Sequence, residues 1–475
     1  FFSIFKNYSM SAELFKKKMA DAGLSEAFSN AFLAVYNDLV EGRTGMMPEE
    51  TIDAVESLPK LAELPKAEEG DKTLLGETLV LKLNGGLGTG MGLEKAKSLL
   101  QVKGEDTFLD FIAKQVMHMR KELNTPLKFM MMNSFSTSDD TKAFLAKYPE
   151  LANDPNIELM QNKAPKVDAK TLEPASWPAA PDLEWCPPGH GDLYAALAGT
   201  GKLDALVADG VKYMFVSNSD NLGATMDMNI LSYFAKSGAP MCMEVAERTE
   251  SDKKGGHLCK DKEGKLLLRE SAQCPKEDED KFQDITVHKY FNTNNLWLNL
   301  PALKAAMDAN NGVLPLPLIR NSKTVDPRDS SSPAVFQLET AMGAAIAALP
   351  GSIAICVDRT RFAPVKTCND LFALKSDAYI VTEDHRLELA PDVPVPPVVN
   401  LDSKLYKMVD KLEPAIKNGV PSLKKCKKIT VKGPVEFAAG CVIEGTVEIV
   451  NDSADVKVIE GTVTDAPAAG CCSNC

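Results

Sequence analysis

The sequence predicts an α/β protein built around a mostly parallel sheet, and three features lead to that reading. From about residue 73, short apolar runs at 78–83, 127–132, 213–216, 241–245 and 353–357 each lead into a turn containing Gly, Asn or Asp. Segments with helical spacing, such as 192–197 and 338–348, lie between them, the alternation expected of strands joined by crossover helices. The first run passes directly into a loop with five glycines in eight residues, Gly85 to Gly92. Ligands of such sheets bind beyond the carboxyl ends of the strands, so the loops after strands are where function is expected.

Taken in order along the chain, residues 11–60 place Leu14, Met19, Phe28, Phe32, Val35 and Leu39 at helical spacing with no strong strand signal. Residues 1–72 therefore read as a helical N-terminal region and 73–390 as the α/β domain. The run PDVPVPPV from residue 391 has four prolines in eight residues, a composition that suits an extended linker. Beyond it, short strands at 429–431, 435–437, 441–443 and 446–450 are separated by turns at Gly433, Gly440 and Gly445. Turns at this close spacing favour a small parallel β-helix over an antiparallel meander in 391–475.

A chain of 475 residues exceeds what one core organises. Its 66 acidic and 53 basic residues give a net charge of -13, which argues against a nucleic-acid partner. An anionic small molecule is still compatible, because a few lysines focused in one cleft outweigh a distant, screened surface excess. No window reaches the roughly 20 apolar residues of a membrane-spanning helix, so the expectation is a soluble protein. The opening FFSIFKNYSM is too short an apolar run for a secretory signal, Met10 is a candidate start, and Phe1 suggests a fragment or processed chain. The ending SNC is not the SKL-type peroxisomal address, which leaves the cytoplasm as the default. The 11 cysteines are scattered without paired metal-ligand spacing and read as reduced thiols, except in the tail Cys471, Cys472, Cys475, whose final CxxC reads as part of a disordered small-residue terminus ahead of a redox or metal role.

The most informative segment is LVLKLNGGLGTGMGLEKAKSLLQV, residues 79–102. So small-residued a loop lets backbone N–H groups approach an anion, and a helix following it would add its N-terminal dipole. A Walker A motif would need lysine where Met91 stands, and the glycines miss the GxGxxG register. Lys97 is close enough in sequence to bend back toward bound phosphates. In LMQNKAPK, Gln161 offers the paired amide donor and acceptor that complement the edge of a pyrimidine. In WCPPGHGDLYAAL, Gly189 and Gly191 permit close backbone approach to a planar base, and His190 offers a donor near phosphate. YMFVSNSDNLGA ends a strand on Asn218, Asp220 and Asn221. A carboxylate there suits Mg²⁺ on a polyphosphate, although strand-end Asp also serves as a helix cap. Glu270, Asn292 and Asn294 suit sugar hydroxyls, and Lys366 in RFAPVKT is placed to reach a phosphate.

In this order, KLNGGLGTGMG, LMQNKAPK, PPGHGDLY, FVSNSDNLGA, ESDKKGGHL, RESAQ, FNTNNLW, LETAMGAAI and RFAPVKT resemble the eukaryotic-type UDP-glucose pyrophosphorylases, protozoan members especially. The resemblance runs from about residue 78 to 377 and continues into TVKGPVEFAAGCVIEGTV. It implies a GT-A-like (Rossmann-like) nucleotidyltransferase core, with a left-handed parallel β-helix at the C-terminus. It further implies that Leu83, Asn84, Gly85 and Gly86 contact the nucleoside and that Gln161 and Gly189 hold uracil. His190, Asn218, Asp220, Gly256, Glu270, Asn292 and Asn294 would line the sugar phosphate, with Lys97 and Lys366 as catalytic charges. The wider sugar nucleotidyltransferases usually carry Arg after GT, whereas Gly90 and Met91 stand here, which counts against the UDP-N-acetylhexosamine branch. The expected reaction joins UTP and glucose 1-phosphate by in-line attack at the α-phosphorus, with Mg²⁺ at Asp220. A broad UDP-sugar pyrophosphorylase and a non-catalytic UDP-sugar binder are the competing readings. The chain is expected as a monomer or as a homo-oligomer assembled through its C-terminal domain.

Overall fold

The computed structural model describes residues 2–465, so the cysteine tail at 471–475 lies outside the described residues. Two helices, Phe2–Asp21 and Glu26–Val40, open the chain, the second capped by Ser25, whose hydroxyl accepts from Phe28 N at 3.2 Å. Phe15, Met19, Phe28, Phe32 and Tyr36 form a core with Ala195, Cys186 and Leu338. The region is not wholly helical, because Ile52–Ala54 forms an edge strand antiparallel to His257–Asp261. Three residues are too few for a period-2 pattern to register in the sequence.

The central sheet has 10 strands. At its heart Tyr213–Asn218, Thr78–Asn84, Lys128–Asn133 and Glu158–Met160 run parallel. The Tyr290–Asn299 strand is antiparallel to both Tyr213–Asn218 and Met241–Glu247, which makes the sheet mixed. Met241–Glu247 in turn pairs in parallel with Ile353–Cys356. Alternate side chains of these near-continuous apolar runs leave for opposite faces. Val80, Phe129, Met131 and Phe215 join one core with the Phe108–Glu122 and Met228–Ser237 helices. Leu79, Leu81, Met130, Met132 and Met214 join a second core with the Asp192–Gly199, Lys202–Ala208 and Leu300–Asp308 helices.

One expected helix is corrected. Residues 338–348 begin in a strand, Ala334–Glu339, held between Ile319–Thr324 and Val167–Asp168, and only Met342–Ala348 turns helically. The polar partner strand at 319–324 overrides the helical propensity of an alanine-rich stretch, and its own sequence carries no apolar alternation.

In the C-terminal part, Val398–Leu401, Cys426–Lys432 and Gly445–Val450 pair in parallel, as do Val435–Phe437 with Lys457–Ile459 and Val442–Ile443 with Thr462–Val463. An antiparallel meander is excluded by these pairings. The Pro-rich stretch before them has no regular structure, yet Val393 is buried. Phe437, Ile443 and Ile449 belong to the same core as Phe372 and Phe129. No described helix is long and apolar enough to cross a membrane.

A deeply buried ion pair joins the Met241–Glu247 strand to the 359–366 segment. Glu244 is fully buried and receives Arg361 Nε and Nη2, each at 2.8 Å, together with Asn295 Nδ2 at 3.0 Å and Trp297 Nε1 at 2.9 Å. Every lone pair of this carboxylate is thus engaged, the condition for tolerating a buried ion. Replacing one partner alone, as in Glu244→Gln, should cost about 3–5 kcal/mol in urea unfolding, because it leaves the guanidinium uncompensated. The double variant Glu244→Gln/Arg361→Met should recover a large part of that loss.

Candidate active site

Three parallel strands end at one level, since Leu83 pairs with Asn218 and Asn84 with Asn133. Asn84 is turned into the sheet, 2% exposed, donating to Asn133 Oδ1 at 2.8 Å and Thr141 Oγ1 at 2.9 Å. Its side chain holds the strand ends in register, and only its backbone remains for a ligand. The loop that follows is threaded tightly: Ser134 Oγ donates to Gly85 O at 2.9 Å and Lys97 N to Gly86 O at 3.1 Å. No α-helix follows the loop. Thr89–Met91 and Lys97–Leu99 are single 3-10 turns, Gly88 and Gly92 flank the first with φ of 72° and 77°, and the next α-helix starts at Phe108. The loop therefore offers an anion its N–H groups and nearby side-chain charge, without the helix dipole expected from sequence.

Gln161 lies against this loop, since a Cβ at Gly85 would stand 2.6 Å from its Oε1. Its Nε2 donates to Gly189 O at 3.2 Å and its backbone N to Asn133 O at 2.7 Å. The glycines of the PPGHGD turn owe their identity to a neighbour the sequence reading missed. A Cβ at Gly189 would meet Thr340 O at 2.4 Å, and one at Gly191 would meet Thr340 Oγ1 at 2.3 Å. Met342 N donates to His190 Nδ1 at 2.9 Å, and burial lowers the His190 pKa to about 4. The imidazole is therefore neutral near pH 7 with its proton on Nε2, a hydrogen-bond donor without a positive charge.

Between the two walls, Lys97 Nζ pairs with Asp220 Oδ2 at 2.7 Å. Val365 N donates to Asp220 O at 3.2 Å, which brings the exposed Lys366 to the same place. Burial raises the Glu270 carboxyl pKa, and Lys366 is near enough to pull against that rise.

The opposite wall is assembled from two hairpin-like pairings. His257 pairs with Arg269, so that Gly256 and Glu270 come together, and a Cβ at Gly256 would stand 2.5 Å from Glu270 Oε2. Asn292 N donates to Gly256 O at 3.2 Å. A bulge interrupts the pairing of 241–247 with 290–299, and within it Asn294 takes φ 60° and exchanges bonds with Asn292 at 3.0 Å. The bulge re-aims both amides toward one spot. Behind this wall Arg269, fully buried, donates to Glu49 Oε2 at 2.6 Å, and Glu49 Oε1 also bonds His288 Nε2 at 2.9 Å. Glu49 carried no sequence signal, and Thr340, although inside the LETAMGAAI segment, was given no role, because each acts through a partner more than 140 residues away.

Among the described residues, no group of three or more His, Cys, Asp and Glu side chains stands close enough to hold a metal. A cation with one protein carboxylate and the remaining ligands from water and phosphate is compatible with Asp220, whose Oδ2 is here paired with Lys97 Nζ at 2.7 Å.

Comparison with known proteins gives a consistent picture. The family described as UTP--glucose-1-phosphate uridylyltransferase matches residues 28–444. The enzyme of that name from Encephalitozoon cuniculi is 37% identical over 406 residues, 85% of this chain and 79% of its own. The one from Saccharomyces cerevisiae is 39% identical over 395 residues, 82% and 77%. A mutant of the Leishmania major UDP-glucose pyrophosphorylase, solved in complex with UDP-glucose, superposes with a TM-score of 0.92 at 52% identity, covering 96% of this chain and 99% of that one. A Trypanosoma brucei structure gives 0.86 at 51% identity, with 96% and 99% covered.

His190 should stay neutral from pH 8 down to about pH 5 and keep its proton on Nε2, observable by long-range ¹H–¹⁵N NMR of the labelled imidazole. The unfolded chain binds a proton at this residue from about pH 6.5 downward, so His190's share of stability is present above that pH and is lost on acidification toward pH 4.

Proposed function

Because the chain belongs to the UTP--glucose-1-phosphate uridylyltransferase family, we infer that it converts UTP and glucose 1-phosphate into UDP-glucose and pyrophosphate. The observation that carries this reading is the Lys97–Asp220–Lys366 cluster, set between an amide wall at Gln161 and a carboxylate–amide wall at Glu270, Asn292 and Asn294.

The sugar phosphate attacks the α-phosphorus of UTP in line and pyrophosphate leaves, so no covalent enzyme intermediate is required. Two anions must meet, and charge grows on the leaving group. Loop N–H groups around Gly85 and Gly86 take the nucleotide, and Gln161 with the Gly189 backbone reads the uracil edge. Lys97 and Lys366 oppose the charge at the reacting phosphates. Neutral His190 orients a phosphate or hydroxyl oxygen through Nε2–H. Gly256, Glu270, Asn292 and Asn294 hold the hexose, and Asn218 closes the floor beneath it. Magnesium held at Asp220 would supply further positive charge on the polyphosphate.

The finer architecture belongs to the same reading: an N-terminal region at 1–72 that opens with two helices and adds one edge strand, a GT-A-like domain at 73–390 and a left-handed β-helix within 391–475. All-parallel pairing in the last segment supports the β-helix. A cytoplasmic protein, monomeric or assembled through that segment, completes the proposal.

The test is pyrophosphate release from UTP, Mg²⁺ and glucose 1-phosphate. Parallel reactions replace UTP by ATP, or the sugar by galactose 1-phosphate or N-acetylglucosamine 1-phosphate. Rapid release with the first pair only is expected. Comparable turnover of several sugars would move the assignment to a broad UDP-sugar pyrophosphorylase, and UDP-glucose binding without turnover to a non-catalytic binder. Lys366→Ala should lower kcat by about a hundredfold, equivalent to about 3 kcal/mol of transition-state stabilisation. A loss of only a few-fold would remove Lys366 from the reacting phosphates.

A further inference from the structure

Asp192 stands at the first turn of the Asp192–Gly199 helix, and its side chain is 3% exposed. A helix-start aspartate gains from the dipole while remaining in water, so burial demands a separate reason. No lysine, arginine or histidine pairs with it among the described residues; its partners all belong to one residue of another loop. Asn162 N donates to Asp192 Oδ2 at 2.7 Å, and Asn162 Nδ2 donates to Oδ1 at 2.9 Å and to Oδ2 at 3.2 Å. Burial pushes the carboxyl pKa up to about 7 while these bonds from Asn162 pull it back, so the charged form depends on them.

The residue so gripped follows Gln161 directly. Gln161 itself is fixed by its backbone bond to Asn133 O and by one side-chain bond of 3.2 Å to Gly189 O. On the other side, Asp192 N donates to Gly189 O at 3.3 Å. Beyond that single long bond of Gln161, it is the Asp192 side chain that ties the 161–162 loop to the 189–192 turn, the two segments that face each other across the base wall. The tie is bidentate, which fixes orientation as well as distance.

We propose that Asp192 is a positioning residue for nucleobase recognition: its carboxylate clamps Asn162 and thereby sets the amide of Gln161 at the spacing from Gly189 that distinguishes uracil from cytosine. The amide must present its donor and acceptor in a definite order to a pyrimidine edge, and uracil and cytosine differ by exchanging donor and acceptor there. A loop free to swing would let the amide serve either base. This inference rests on the reading of Gln161 and Gly189 as the uracil contacts, and it assigns the specificity of that contact to a residue that touches neither base nor phosphate.

Steady-state kinetics of the full chain test it, with UTP and CTP as alternative nucleotides at saturating glucose 1-phosphate. Asp192→Ala should raise KM for UTP by about tenfold and shrink the UTP-over-CTP preference in kcat/KM. KM for glucose 1-phosphate and kcat at saturation should change by less than about threefold. Asp192→Asn keeps one acceptor for Asn162 N and should fall between wild type and alanine. Asn162→Ala, which removes only the side-chain half of the clamp, provides a second variant should the alanine at 192 fail to fold. A merely structural role predicts a lower melting temperature and a lower fraction of active enzyme with KM for UTP and the UTP/CTP ratio unmoved, and that result overturns the proposal. Gln161→Ala is the control. If it raises KM for UTP while the Asp192 and Asn162 variants do not, the clamp is wrong and the base contact stands. If Gln161→Ala leaves KM for UTP unchanged, the base contact falls and this inference with it.

Discussion

The site depends first on one buried ion pair. Glu244 and Arg361 lie on segments 117 residues apart, and their mutual neutralisation is what permits either to exist in an apolar interior. Arg361 also spends its backbone carbonyl on Asn221 and Asn295, at 3.1 Å and 3.2 Å, while Asn221 Oδ1 accepts from Ala363 N at 3.0 Å. The segment that ends in Lys366 is in this way fastened to the strand end that presents Asp220. The segments bearing Asp220 and Lys366 are thus placed by one buried network.

Around that anchor, the parallel block brings backbone and side chains of three strand ends to one level, and the antiparallel 290–299 strand carries the architecture across to the second wall. The cross-strand bulge at Asn294 then does what a regular strand cannot, turning two nearby amides to the same side. Segment 340–343 joins the walls: Thr340 packs on Gly189 and Gly191, Met342 holds His190, and a Cβ at Gly343 would lie 3.1 Å from Asn292 Nδ2. The wall at Gln161 and Gly189 and the wall at Glu270 and Asn292 therefore share a backbone.

Three strands of the parallel block, at 78–84, 128–133 and 213–218, were legible in the sequence because each is a mostly apolar run ending in a turn residue, and the loops after 84 and 218 were legible with them. The three-residue strand at 158–160 was not. Lys97, Asp220, Gln161 and Glu270 drew attention only as members of an ordered series of segments, since none of the four is specific by itself. What remained hidden was of two kinds. Residues such as Glu49 and Glu244, and Thr340 in its role within LETAMGAAI, act through contacts with distant segments, and a single sequence records no pairing. Short or polar strands such as 52–54 and 319–324 owe their conformation to a neighbour's hydrogen bonds rather than to their own periodicity. The dipole expected after the glycine-rich loop failed for a related reason: Gly88 and Gly92 break the turn at both ends, so the chain stays compact without winding into an α-helix.

The packing of Thr340 against Gly189 and Gly191 has an evolutionary corollary. Two turns that come within 2.4 Å of a would-be Cβ share one steric allowance, and neither can gain an atom unless the other recedes. A methyl group at either glycine would have to be matched by a shift of the 340 backbone, which would carry His190 and Asn292 with it. Substitutions at these three positions should therefore be inherited together or not at all, and divergence among such proteins should collect in the outer helices and the C-terminal coils, where side chains change size without a partner's consent.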